Sequence, residues 1–167
     1  FTRPPRISPV ELEAIWEEQA YREPPYIDVV NLAEMKKTNR ERDYAVIGEL
    51  ARRMTGVRDQ FLYSRSARDL INLSDEHPEI PEKLAAKRPI LRSIPKGLDR
   101  LEEALDKERR KLIHANEARL AGYSRALERW STIWPDLEKR MSACLLPEAH
   151  QLMVENAEGV LPFKPEV

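Results

Sequence analysis

Apolar residues recur at helical spacing along most of the chain, and the longest such pattern covers residues 98–134. Its intervals vary among three, four and seven residues, which predicts a long amphipathic helix packed on other helices. A two-stranded coiled coil would keep a strict heptad instead. Four residues at intervals of four, three and four share one helix face and are expected to form core: Tyr123, Leu127, Trp130 and Trp134.

Shorter elements are predicted on both sides of that helix. Ser8 to Glu11 has the composition of a helix start, and a capping-box pattern at Asn31 predicts another. Between them, the β-branched, proline-bounded residues 26–30 predict a short strand. Four prolines between residues 78 and 95 divide that region into turns or brief helical pieces, and Pro135 is expected to bend or restart the long helix. Further helices are expected at residues 43–54, 66–73 and 148–157.

The composition agrees with a mainly α fold. Charged residues make up 34% of the chain and hydrophobic residues 41%, with only five glycines for the turns that a strand-rich fold would need. The 28 basic and 29 acidic side chains nearly cancel, so no overall field attracts nucleic acid. No apolar run approaches the roughly 20 residues that span a bilayer. We therefore expect neither nucleic-acid binding nor membrane insertion.

Few residues have the spacing of a catalytic or metal site. The three histidines, His77, His114 and His150, are far apart and are expected at the surface or in local hydrogen bonds. Cys144 precedes two leucines, and because an apolar setting makes a thiol inert, a packing role is expected. Four carboxylates alternate with cations as on a solvated helix face: Glu102, Glu103, Asp106 and Glu108. We assign no catalytic residue and no metal ligand.

Residues 32–47 have different chemistry. Four cations fall within seven positions at a junction between two predicted helices: Lys36, Lys37, Arg40 and Arg42. Asp43 follows them at the start of the next helix, where it can accept backbone N–H groups and pair with an arginine. Basic groups held beside a helix N-terminus suit a polyphosphate. The pattern also fits a capped and charged turn with no ligand.

The order of these residues resembles the minimal nucleotidyltransferase superfamily, and most closely the nucleotidyltransferase-like proteins of bacterial abortive-infection toxin–antitoxin systems. A hydrophobic strand ending at Val29 and Val30 is followed by Leu-x-x-Met-Lys, then by Arg-x-Arg-Asp and an apolar helix. The resemblance covers residues 8–54. It implies nucleotide-phosphate contacts by the four cations, with Asp43 orienting them. Val46 stands where many family members have an aspartate.

The resemblance implies the C-terminal portion of a bacterial, cytoplasmic nucleotidyltransferase-like protein. Residues 1–55 would complete the nucleotidyltransferase unit, and residues 56–167 would form a helical domain. The family's metal-binding carboxylates lie upstream of the matched segment, where this chain has only residues 1–7. We therefore expect no cofactor in this chain, and Mg²⁺ and a nucleoside triphosphate only in a complete family member.

The alternative is a non-catalytic helical accessory or scaffold subunit of a large assembly, such as one in the mitochondrial matrix. A removed targeting peptide would explain the start at Phe1, and the proline-rich ends could dock along neighbouring subunits. The long helix would then bind a protein partner through Tyr123, Trp130 and Trp134. The sequence by itself leaves both hypotheses open.

Overall fold

The structure is a computed structural model that describes residues 9–21 and 26–161. Within these ranges the chain is mainly helical and contains no strand, which confirms the mainly α prediction. A 3₁₀ segment lies between the sixth and seventh α-helices. The helical elements are, in order, α1 Pro9–Gln19, α2 Val29–Met35, α3 Glu41–Arg52, α4 Val57–Tyr63, α5 Ala67–Glu76, α6 Ile80–Leu84, the 3₁₀ segment Pro89–Lys96, α7 Leu98–Met141 and α8 Leu146–Val160.

The strand predicted at residues 26–30 is wrong, because Val29 and Val30 form the first turn of α2. Asp28 has an extended backbone and caps this helix, since its Oδ1 accepts the N–H groups of Val30 and Asn31, both at 2.9 Å. The helix start predicted at Asn31 is wrong for the same reason. Asn31 lies inside α2, and its side chain donates to Asp28. The cap at Asp28 outweighs the preference of β-branched valines for strands.

The chain divides into two compact units, and the boundary falls after His114, within α7. Two hydrophobic clusters form the core of the first unit. The larger collects buried side chains from α4 to α7: Phe61, Ala67, Leu70, Leu84, Leu91, Ile94, Leu101 and Leu105. The smaller packs α2 on α3 through Ala33, Tyr44, Ile47, Ala51 and Met54, with Leu112 and Ile113 of α7 against it. The first part of α7 therefore stabilises both clusters. The functional division between residues 55 and 56 stays a prediction.

Two elements, α4 and the 3₁₀ segment, are not evident from the sequence pattern. Each is only seven or eight residues long, so neither contains enough turns for a clear apolar repeat. The region of the four prolines consists of brief helical pieces, α6 and the 3₁₀ segment, as predicted, although Pro95 lies inside the 3₁₀ segment and does not divide it. The segment ends at Gly97, whose φ of +90° suits glycine, and α7 begins at the next residue.

The second unit, from Ala115 onward, contains the rest of α7 and α8. The long-helix prediction is confirmed, and Pro135 does not end the helix. Leu127 is 59% exposed, so the prediction that it belongs to the core is wrong. The buried side chains of this stretch are instead Ala126 and Leu137, which lie about three turns apart on one face. Trp130 and Trp134 are half-buried, with ring centroids 5.8 Å apart.

The packing role predicted for Cys144 is also wrong, because this residue is exposed between α7 and α8. Its thiol donates to the Arg140 carbonyl at 3.3 Å. Leu145 and Leu146 are exposed as well, so apolar neighbours in the sequence do not create an apolar environment here. In the described ranges, every helix is too short or too polar to span a lipid bilayer.

Candidate functional site

The basic junction between α2 and α3 is organised around Asp43. This residue is buried in the first turn of α3, and its Oδ2 accepts the Thr38 hydroxyl at 2.6 Å. Its other oxygen lies 3.8 Å from Lys36 Nζ. The phenol of Tyr44 donates to the Thr38 carbonyl at 3.0 Å and closes the turn. Asp43 therefore pairs with Lys36 and Thr38, and the pairing with an arginine expected from the sequence is wrong.

Lys37 is directed to a different set of partners. Its Nζ pairs with Glu34 at 2.5 Å and lies 4.4 Å from the centroid of the Tyr63 ring. Tyr63 in turn donates its hydroxyl to Glu34 at 3.1 Å. The Lys37 side chain is largely covered. Its charge is thus compensated by Glu34 and by the negative face of the aromatic ring.

The two arginines of the junction remain exposed. Arg40 is the N-cap residue of α3, and its backbone N–H donates to the Thr38 hydroxyl at 3.0 Å. Arg42 is the second residue of α3 and lines a separate cleft, to which neither lysine contributes. The four cations adjacent in sequence are therefore divided among different surroundings by the fold.

A buried charge network is the polar site that the sequence does not reveal. Arg88 is 4% exposed, and its guanidinium donates to the carbonyls of Phe61 at 2.7 Å and Ser64 at 2.8 Å. The same group binds Glu108 through Nε at 3.0 Å and Nη2 at 2.8 Å. Arg65 pairs with Glu108 at 2.5 Å. The expectation that Glu108 lies on a solvated face is wrong, since its carboxylate joins α7 to the end of α4.

The electrostatics of this network follow from its burial. Burial by itself would raise the pKa of Glu108, but the hydrogen bond and charge of Arg88, with the charge of Arg65, hold that pKa below its usual value. Burial, together with the neighbouring Arg88 charge, lowers the pKa of Arg65. Arg65 also stacks over Tyr44, with 5.4 Å between its Cζ and the ring centroid. One carboxylate thus compensates two guanidinium groups.

An open cleft of about 580 Å³ lies beside this network. We call it the arginine cleft, and its walls come from α3, the start of α5 with the two residues before it, and α7. It is lined by Glu41, Arg42, Tyr44, Ala45, Arg65, Ser66, Ala67, Arg68, Glu102, Leu105, Asp106 and Arg109. Four arginines and three carboxylates therefore face the same space. Of the residues that the sequence singled out as phosphate-binding, only Arg42 is among them.

Comparison of the chain with protein-family models, with curated proteins and with solved structures found no match. Across residues 9–21 and 26–161, no group of three or more histidine, cysteine, aspartate or glutamate side chains is placed to hold a metal ion. His114 and His150 are exposed and His77 is half-buried, as expected for surface histidines.

Proposed function

We propose that the chain is a non-catalytic helical accessory subunit that docks on other proteins of a larger assembly. The observation that carries this proposal is an apolar pair on α1. Trp16 is 77% exposed, and Leu12, one turn earlier, is exposed as well. Because residues four apart share a helix face, these side chains form one apolar surface. Tryptophan is among the residues that contribute most to protein interfaces.

A different face of α1 lies towards α2 within its own unit. Glu11, Ala14, Ile15 and Glu18 line a pocket together with Asn31 of α2. That face is rotated from the Leu12–Trp16 pair by about a third of a turn, given 100° per residue. The apolar pair is therefore not what attaches α1 to the first unit. It is available for a partner.

The later part of α7 supplies a second proposed docking surface in the other unit. Leu127 is exposed, and Trp130 and Trp134 follow it at three and seven residues, so the three side chains share one side of the helix. Together with Tyr123, the two tryptophans are the proposed contacts with a protein partner. Whether the assembly is cytoplasmic or lies in the mitochondrial matrix stays a prediction.

Sedimentation of the tagged chain from the cells that make it tests the proposal. The parent chain should sediment with a large assembly, whereas Trp16→Ala should sediment as a free protein, since a truncated interface tryptophan commonly costs about 2 kcal/mol or more of binding. Glu17→Ala, at the exposed neighbouring position, is the matched control and should behave as the parent. All three should melt at the same temperature. A parent chain that sediments alone, or a Trp16→Ala chain that stays bound, would contradict the proposal.

The nucleotidyltransferase-like hypothesis is a second proposal, supported by one feature of the basic junction. Lys36 lies 3.8 Å from Asp43, and its side chain remains 40% exposed, so its ammonium group is accessible to a phosphate. Titration of the chain with ATP and Mg²⁺ tests this idea, with Lys36→Ala expected to weaken binding. Lys87→Ala, at another exposed lysine, is the control. No measurable binding by the parent chain would count against a nucleotide site at Lys36.

A further inference from the structure

The charges that line the arginine cleft are not all compensated. Arg109 pairs with Glu41 at 3.2 Å and with Asp106, and Arg65 pairs with Glu108. In contrast, Arg42 and Arg68 make no ion pair and no side-chain hydrogen bond with any described residue. Glu102 is likewise without an ion pair in the described part of the chain. The unpaired groups of the cleft are thus two cations and one anion.

The start of α5 adds hydrogen-bond donors to this cleft. The Ser66 hydroxyl accepts the N–H of Asp69 at 3.2 Å and thereby caps the helix. Ala67 and Arg68 are the first two residues of the helix, and their N–H groups have no acceptor inside it. Ser66, Ala67 and Arg68 all line the cleft. These donors and the positive end of the helix dipole lie beside an unpaired arginine, which is an arrangement that favours anions.

Arg65 adds positive charge to the wall of this cleft. Its side chain lines the cleft and is only 10% exposed, and its guanidinium pairs with Glu108. Two guanidinium groups, Arg65 and Arg88, share the single carboxylate of Glu108 behind this wall. The wall therefore carries excess positive charge where solvent screening is weak.

We infer that the arginine cleft binds a small phosphate monoester, with its phosphate held by Arg42, Arg68 and the first N–H groups of α5. Guanidinium groups form strong, charge-assisted hydrogen bonds with phosphate oxygens. The volume of about 580 Å³ lies within the range of small-molecule sites and leaves room for more than a phosphate. Glu102 on the α7 wall is an unpaired acceptor that suits hydroxyl groups on the rest of the ligand. This inference is independent of docking through α1.

Calorimetric titration with inorganic phosphate and with glucose 6-phosphate tests the inference. Both should bind saturably, and the ester should bind several times more tightly because its hydroxyl groups reach Glu102. Arg42→Ala and Arg68→Ala should each weaken binding of the ester by about tenfold, the effect of losing one charge-assisted contact. Arg53→Ala is the matched control, since this exposed arginine follows the same helix as Arg42 but does not line the cleft.

Three results would overturn the inference. The first is no binding of either phosphate compound by the parent chain. The second is equal weakening by Arg53→Ala and by the two cleft variants, which would show unspecific attraction of anions. The third is tighter binding of a phosphoserine peptide than of glucose 6-phosphate, which would replace the small molecule with a protein ligand. Circular dichroism of each variant establishes that it is folded, and Arg42 and Arg68 are chosen because neither takes part in the buried network.

Discussion

Replacing Glu108 by glutamine tests whether the buried network stabilises the fold. The substitution keeps the shape of the side chain and one acceptor oxygen, but it removes the negative charge. Arg65 and Arg88, which both pair with this carboxylate, would then face each other without compensation. Arg88 cannot turn toward solvent without also losing its bonds to the carbonyls of Phe61 and Ser64.

The expected loss follows from the burial of the three groups. Breaking a buried ion pair by removing one partner costs about 3–5 kcal/mol. The Glu108 side chain is 19% exposed, and the glutamine can still accept one hydrogen bond, so we expect about 2–4 kcal/mol. With a urea slope of about 2 kcal/mol per molar, the midpoint of unfolding should fall by about 1–2 M.

Urea unfolding followed by circular dichroism at pH 7 measures this loss. Glu103→Gln is the matched control on the same helix, because Glu103 pairs with Arg100 and Lys107 at the surface and its replacement should lower the unfolding midpoint much less. Equal midpoints for Glu108→Gln and Glu103→Gln would refute the reasoning, since they would show that the network contributes no more than surface pairs. An unchanged slope is required for the comparison, because a changed slope would indicate a change in the unfolded state.

Three further predictions concern pH, capping and backbone conformation. Because the folded-state pKa of Glu108 is lowered, its contribution is present above the unfolded pKa of about 4.3 and is lost as pH falls through the folded value. The stability difference between the parent and Glu108→Gln should therefore shrink in urea titrations below about pH 4, and a constant difference would contradict this. Asp28→Ala should lower the free energy of unfolding by about 1 kcal/mol in the same assay, because it removes the N-cap of α2. Asp75→Ala is the control and should not lower it, because Asp75 is exposed and caps no helix. Gly97→Ala should lower the free energy of unfolding by about 1–3 kcal/mol, because a φ of +90° is strained for alanine. A steric clash is not the cause, since a Cβ at this position meets no atom within 4 Å. An unchanged stability would mean that the backbone relaxes.

The helical architecture could be predicted from local sequence because helices depend on spacings of three and four residues. The apolar repeat of α7 and the start of the 3₁₀ segment at Pro89 are such local signals. The same reasoning failed at Val29 and Val30, where strand preference and the cap at Asp28 act on the same residues. Propensity differences of a few tenths of a kcal/mol are smaller than a cap of about 1 kcal/mol. Short elements are therefore the ones most often assigned incorrectly.

The candidate sites depended much more on tertiary structure. Arg42 is adjacent to the lysines in sequence, but in space it belongs with Arg68 in the arginine cleft. No local pattern connects residues 42 and 68, because their proximity results from how α3 and α5 pack. The exposed Cys144 shows the same limit, since its leucine neighbours point to solvent.

The charged residues of α7 show most clearly what each level of structure decided. The sequence by itself determined that residues around 102–111 form an amphipathic helix with many charges. Only the tertiary structure distinguished Glu108 from Glu103, because the partners of Glu108 lie 43 and 20 residues before it. Burial of a charge is costly unless such partners surround it. The packing of α4, the 3₁₀ segment and α7 places these partners beside Glu108. Local spacing thus sets the helix, while long-range packing decides which of its carboxylates stabilises the fold.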